Sequence, residues 1–492
     1  MVVAKRRFDR VPDIAQRRDQ RPDARTGPGI MMTLSSKRRT QILQAVIPAY
    51  LVLCVIFGGS SIVGPLANGF LQLLAIPLLY VALTVRMNTP LTASGRQMTL
   101  FVLLVLLLFA IQLIPLPASL WTRLPGRETF VEGYRLLGIP LPSASISLMP
   151  NRTLAALLWL LPSFAVLFGM LRWGAFNTRT LILSLGAVAC TSVLLGAVQL
   201  AGGDQSPAYL YEQNSTGVAT GFFTNPNHFG TLMLMVIPML AALLADEFDR
   251  RGNRKQASAT VVVVIAMIVL LLVGIVITRS LAAIGLAIPV AAASIFIIHW
   301  RKRRMPIWIA PAVGAVVLAV LATIAMQPSN NDLTSSGART DQLSRYTKYV
   351  TTLRAIGDFM PVGTGMGTTP FVYHLYENPT TIIRTHASHT HSDPLEIVLD
   401  GGIAVLILTG LFLIGWGWRA MMIWRAPEAD GFARAATIAS AAAMAHSLVD
   451  YPLRTAAVGA VFMATLALMA GARERSAASR QHKRDAVRHL AV

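Results

Sequence analysis

The chain has 492 residues, 54% hydrophobic and only 13% charged, with a formal net charge of +20. Soluble globular chains carry roughly 25% charged residues, so a string of soluble domains is excluded. The basic excess lies in short gaps between apolar runs, which is the pattern of membrane topology and not of a nucleic-acid-binding surface.

Residues 1–41 are polar and basic, with Lys5, Arg6, Arg7, Arg17, Arg18, Lys37, Arg38 and Arg39, and are expected to form a disordered cytoplasmic extension with no cleavable signal peptide. Apolar runs long enough to cross a bilayer then predict helices at 42–58, 62–85, 98–114, 153–171, 181–200, 229–245, 259–278, 281–299, 307–326, 395–418, 434–447 and 456–471. Lipid offers no partner for backbone polar groups, so each run is expected to be helical. The fold class is therefore all-α integral membrane, with about 12 transmembrane helices spread over 42–326 and 395–471. A large periplasmic loop, 327–394, separates helices 9 and 10, and a basic cytoplasmic tail occupies 472–492. Cys54 and Cys190 fall inside predicted helices and read as packing residues.

The gaps test the topology. With the N-terminus inside, every predicted cytoplasmic gap is basic, for example Arg172 and Arg179, Arg301 to Arg304, and Arg419 and Arg425. Both termini are then cytoplasmic, and 115–152 and 327–394 fall outside. These two segments also carry arginines, Arg123, Arg127, Arg135 and Arg152 in one and Arg339, Arg345, Arg354 and Arg384 in the other. An anionic ligand at the outer face would account for them. Within the longer loop, Leu343, Tyr346, Val350, Leu353 and Ile356 recur at helical spacing between Thr340 and Asp358. Pro361 to Gly367 follows as a turn-rich connection, in which Gly363, Gly365 and Gly367 turn the backbone without the strand a phosphate-binding loop requires. No internal repeat is evident.

The residues able to do chemistry gather at the predicted outer edge. The string Thr385-His386-Ala387-Ser388-His389-Thr390-His391-Ser392-Asp393-Pro394-Leu395-Glu396 opens a membrane helix. His391, at the point of entry, suits general acid–base work, or else caps the helix. His386, His389, His391 and Asp393 also invite a zinc reading, but the string is loop-like and lacks a cysteine or a helical histidine pair, so no metal is expected. Arg279 interrupts about forty apolar residues, as an anion ligand or a snorkelling turn marker. Its planar guanidinium suits phosphate, and Arg345 on the loop helix is the natural second clamp. Asn225 or Asn227 could cap the helix that follows them or bind sugar hydroxyls. His446 and Asp450 could share a buried hydrogen bond or line an outer cavity.

Taken in order, these segments resemble the O-antigen ligase and polysaccharide polymerase superfamily. The resemblance runs from about residue 42 to 471. It rests on Gln112-Leu113-Ile114-Pro115-Leu116-Pro117 with Trp121, Gly221-Phe222-Phe223-Thr224-Asn225-Pro226-Asn227-His228-Phe229, the Arg279 turn, and Arg345 followed by Pro361-Val362-Gly363-Thr364-Gly365. His391-Ser392-Asp393-Pro394-Leu395-Glu396 and His446-Ser447-Leu448-Val449-Asp450-Tyr451-Pro452 complete it. The resemblance implies a C-type membrane glycosyltransferase that is inverting, metal-independent and needs no cofactor. Its donor would be a polyprenyl-diphosphate-linked oligosaccharide or polysaccharide, and its acceptor a glycan or lipid A-core. Arg279 and Arg345 would hold the diphosphate, and His391 would activate or orient the acceptor hydroxyl. Many relatives have Asn where this chain has Ser392, and Ser-Arg-Gly where it has Thr278-Arg279-Ser280. The Ser392 form looks more like the exopolysaccharide-polymerase side of the family. A multi-pass transporter or flippase for a lipid-linked or anionic solute, and a non-catalytic assembly partner, are the competing readings. The first of these predicts mid-membrane charges and repeat symmetry.

Overall fold

The computed structural model describes residues 36–61, 65–85, 90–211, 215–251, 259–300, 336–377, 389–426 and 430–471. The chain divides into two units, 1–41 and 42–492, and only the first turns of one helix are described in the first unit. In chain order the helices are α1 Ser36–Phe57, α2 Pro65–Thr84, α3 Ala93–Leu113, α4 Ala118–Trp121, α5 Glu128–Leu136, α6 Pro150–Trp159, α7 Leu161–Phe168, α8 Thr178–Ala201, α9 Pro226–Arg251, α10 Ala259–Ile277 and α11 Leu281–Trp300. They continue with α12 Ser336–Phe359, α13 Thr369–Tyr376, α14 Asp393–Arg425, α15 Gly431–Ser447 and α16 Ala456–Ala470. Eleven of the twelve predicted spans fall on helices. The predicted helix 307–326, the ends of the predicted outer loop with Arg384 and His386, and both termini lie outside the described residues. Among the described residues, eight helices are long and apolar enough to cross a membrane, and Gln41–Phe57 and Ala456–Ala470 are shorter apolar helices. The chain is a multi-pass membrane protein.

The bundle is built around α9. Its segment from Phe229 to Ala245 is apolar but for Thr231 and buried throughout, as suits a helix enclosed on every side. It packs against α8, α10, α11 and α15. The neighbouring α15 and α16 are rich in buried alanines such as Ala435, Ala439, Ala460 and Ala464, and these small side chains let backbones approach closely where no hydrophobic effect drives helices together. By contrast α3 has only 17% of its most apolar window buried, so it stands at the periphery.

Two predicted spans differ in detail. The run 153–171 is not one helix: α6 and α7 meet at Leu160, where Pro162 removes a backbone donor, and a π-helical turn follows at Gly169–Trp173. The run 395–418 extends to Asp393–Arg425 and is kinked at Gly402, whose φ of 58° and ψ of −145° are open to glycine alone. Two predicted gap arginines also close helix ends. Arg172 donates to the carbonyls of Ala82 and Leu83 at 3.1 and 3.2 Å, and Arg419 donates to those of Met469 and Ala470. These carbonyls are the orphans of helix C-termini, where a cation is also favoured by the helix dipole.

The segment 115–152, read from sequence as a long segment on the outer side, contains a two-residue antiparallel ribbon that pairs Pro115 with Ser145 and Leu116 with Ala144, together with α4 and α5. The helix expected between Thr340 and Asp358 is α12, and the glycine-rich turn after it leads into the short α13.

Candidate functional site

The first turn of α9 begins the site. Asn225 precedes Pro226, and its Oδ1 accepts the amide of Asn227 at 2.8 Å, so Asn225 is the cap and Asn227 is released for other work. Asn227 Nδ2 donates to Asp450 Oδ2, in the turn between α15 and α16. His228, fully buried, places Nε2 3.8 Å from Asp450 Oδ1, and the Tyr451 amide donates to the same oxygen at 2.9 Å. His391 approaches from the third side, with Nδ1 3.3 Å from Asp450 Oδ1, an ion-pair distance short of a well-aligned hydrogen bond. Asp450 is 1% exposed. Burial by itself would raise its pKa, but the contacts with His228 and His391 outweigh that and hold the carboxyl well below the ordinary carboxylate range.

His391 does not cap α14. Ser392 holds that position, and His391 sits before it with φ 58°, a left-handed conformation rare outside glycine. Three contacts hold it there. Its carbonyl accepts the Tyr349 hydroxyl at 3.0 Å, its ring meets the Tyr451 ring edge-on at 5.3 Å, and the Asp393 amide just beyond it donates to the Asp450 carbonyl at 3.1 Å. The His391 side chain remains 24% exposed, unlike the His228 side chain behind it. A left-handed backbone at a non-glycine residue stores strain, and such positions cluster at ligand-binding and active sites.

Tyr349 lies one helical turn after Arg345 on α12, so both share a face. Burial raises the Tyr349 phenol pKa, with Arg345 acting against the rise and Asp450 adding to it. His446 is also within electrostatic reach of both Arg345 and Asp450. The structure therefore brings Arg345, His391, Asn225, Asn227, His446 and Asp450 to one end of the bundle. Arg279 stands at the turn between α10 and α11, exposed and with φ 57°. Buried Thr278 and Ser280 hold that turn, through a Thr278 hydroxyl bond to Ile275 and a Ser280 hydroxyl that accepts the Ala283 amide. Ala283 packs so closely on Gly230 that a Cβ on the glycine would lie 2.5 Å from the alanine Cβ, and Ser280 beside Arg279 meets the same glycine. Among the described residues, no hydrogen bond or ion pair joins Arg279 to His391 or Asp450.

Of the two uses left open for His446 and Asp450, the shared side-chain hydrogen bond is not made. The His446 carbonyl accepts the Asp450 amide, but its ring turns toward α9, where Nδ1 meets Thr231 Oγ1 at 2.8 Å. That hydroxyl donates to the Asn227 carbonyl, so His446 carries its proton on Nδ1 and braces the turn that bears Asn227.

A second charged cluster supports the first. Arg454 places Nε 3.0 Å from Glu396 and 3.4 Å from Asp393, with a terminal nitrogen 3.7 Å from Asp400. Burial by itself would lower the Arg454 pKa, but the three carboxylates reverse this and raise it. Glu396 also binds His389 Nδ1 at 3.0 Å and the Thr390 amide at 2.7 Å. His389 and His391 thus face different carboxylates. Asp400 accepts the amides of Gly367 and Thr369, both at 2.9 Å, which wraps the glycine-rich turn around the α14 kink. Gly363 belongs to that wrap: a Cβ there would lie 2.7 Å from the Gly402 nitrogen.

Sequence reasoning gave no role of their own to His228 and Tyr451, which stand within the quoted motifs, nor to Tyr349 or Arg454. Glu396 and Asp400 carried a usable signal, because carboxylates inside a predicted membrane helix are functional or structural by default. Tyr349 carried none, since a tyrosine at helical spacing reads as packing.

Residues 266–410 match the family model described as O-Antigen ligase. That segment is similar to the O-antigen ligase domain, in line with the resemblance, and it contains Arg279, Arg345 and His391. Asn225, Asn227, His228, His446 and Asp450 lie outside the matched segment. The family carries ligase and polymerase activity that transfers glycosyl groups between lipid-linked donors and glycan acceptors in a membrane. No curated protein matches the chain.

Proposed function

We propose that this protein transfers or polymerises polyprenyl-diphosphate-linked glycan on the periplasmic face of the bacterial inner membrane, in surface polysaccharide synthesis. The reading rests above all on the His391–Asp450 pair, a partly open imidazole with a buried carboxylate at its Nδ1. A carboxylate there favours the tautomer that leaves Nε2 free and offsets the charge an imidazolium would gain. The acceptor hydroxyl, oriented by Nε2, attacks the anomeric carbon. Its oxygen forms the new glycosidic bond as the bond to the lipid diphosphate breaks, and its proton passes to Nε2. The configuration inverts, and no metal or cofactor takes part. Charge gathers on the leaving diphosphate, and Arg279 and Arg345 stabilise it. The donor and acceptor both approach from the outer edge of the bundle, with both termini cytoplasmic.

The test is complementation of a deletion strain at matched membrane expression, with surface and carrier-linked glycans resolved on gels. A polymerase leaves single repeat units on the carrier lipid when deleted. A ligase leaves long chains on the carrier and none on the core lipid. Arg279→Ala, Arg345→Ala and His391→Ala should each reproduce the deletion, and full complementation by all three would sink the enzyme reading.

A further inference from the structure

The segment between α3 and α6 carries an apolar surface that the glycosyl-transfer reading does not use. α5 packs its inner face onto the body: Phe130 lies against the Ala355–Phe359 cluster, and the Tyr134 ring stands 6.4 Å from that of Trp121. The helix ends where Gly138, with φ 64°, lets the amides of Gly138 and Ile139 close back on Arg135 and Tyr134. The chain then runs as Leu136-Leu137-Gly138-Ile139-Pro140-Leu141, and Leu136, Leu137, Ile139 and Leu141 are 79, 71, 50 and 39% exposed. Four large apolar side chains projecting together from one short segment need a non-aqueous neighbour.

The ribbon says where that neighbour is. Pro142 accepts the Trp121 indole N–H at 2.8 Å, and Ala144 pairs with Leu116, three residues past the end of α3. The apolar run is therefore brought back to the level at which α3 leaves its apolar span. Leu107 and Ile111 in the last turns of α3, and Ile114 just past its end, are all 44% exposed or more. Arg135 and Glu132 pair at 3.1 Å on the exposed surface of α5, where headgroups and water would meet them.

We infer that Leu136–Leu141 and the end of α5 form an interfacial anchor, inserted into the outermost acyl and headgroup layer of the bilayer beside α3. The anchor rests on the membrane reading of α3 and is independent of the reaction. It fixes the ribbon, and through Phe130 the α12 helix bearing Arg345, at headgroup depth.

The experiment uses the full chain with Cys54→Ala and Cys190→Ala, and with a single new cysteine at Leu137→Cys, Ile139→Cys or, as the aqueous control, Glu132→Cys. Each carries an environment-sensitive fluorophore, and the protein is reconstituted in phosphatidylethanolamine–phosphatidylglycerol vesicles. Probes at 137 and 139 should show blue-shifted emission relative to 132. They should also be quenched by shallow doxyl-labelled lipid and shielded from iodide. Iodide quenching equal to that at 132 would overturn the anchor in favour of a solvent-facing loop. Blue-shifted emission without doxyl quenching would overturn it in favour of cover by a second copy or another protein.

Discussion

Asp450→Asn isolates the electrostatic part of the site. The substitution keeps the shape but replaces a carboxylate that serves four donors, the Asn227 amide, the Tyr451 backbone, His228 and His391. The remaining carbonyl oxygen can still face Tyr451 N–H and the two imidazoles. The new amide then meets Asn227 Nδ2, donor against donor, which leaves one buried group unsatisfied at a cost of about 1–3 kcal/mol. Catalysis should suffer more than stability. Positioned acid–base chemistry contributes roughly 10²–10⁴-fold, equivalent to about 3–5 kcal/mol in the barrier. Transfer of a labelled carrier-linked glycan in reconstituted vesicles should therefore fall by about that factor, with the detergent-solubilised protein still folded. The pH dependence has a definite sign. The Asp450 pKa is depressed in the folded state, so its stabilising contribution is present above the unfolded value of about 3.9 and is lost as pH falls through the folded pKa. Wild type should thus lose thermal stability on acidification below that value more steeply than Asp450→Asn. If the variant turns over at the wild-type rate across the neutral range, Asp450 has no part in orienting His391 and the mechanism is refuted.

Three further outcomes follow from the geometry. Tyr349→Phe removes the hydroxyl that holds the strained His391 carbonyl, a loss of about 0.5–1.5 kcal/mol, and should lower turnover while leaving the melting temperature nearly unchanged. Arg454→Met leaves Asp393, Glu396 and Asp400 buried without their cation. Breaking such a cluster costs about 3–5 kcal/mol, to be seen as loss of monodisperse protein in size-exclusion chromatography. Gly402→Ala puts a Cβ 2.2 Å from the Pro361 carbonyl oxygen at a φ of 58°, so it should displace the glycine-rich turn and destabilise by at least about 1–3 kcal/mol in thermal melts. A melting temperature equal to wild type would show that the turn tolerates the shift.

The helices were legible because a span is a local property: some twenty apolar residues bounded by charge announce themselves without reference to any partner. Arg279 and His391 were legible for the same reason, each a polar group at the edge of an apolar run. Helical spacing also exposed α12. The ribbon at Pro115–Leu116 left no trace, since two residues carry no period. The break at Leu160 hid inside a run whose apolar character does not change there.

What sequence by itself determined is the all-helical membrane character, the places where the helices lie, and which titratable residues stand at their ends. Tertiary structure alone decided who pairs with whom. His446 and Asp450, four residues apart, would face each other on a continuing helix, but α15 ends at Ser447 and the turn after it sends the carboxylate toward Asn227 and His391. The ring of His446 stays with Thr231 on α9. A buried carboxylate takes whichever donors the packed helices bring to it, and here Asn227 comes from 223 residues away in the chain, beyond the reach of any local pattern.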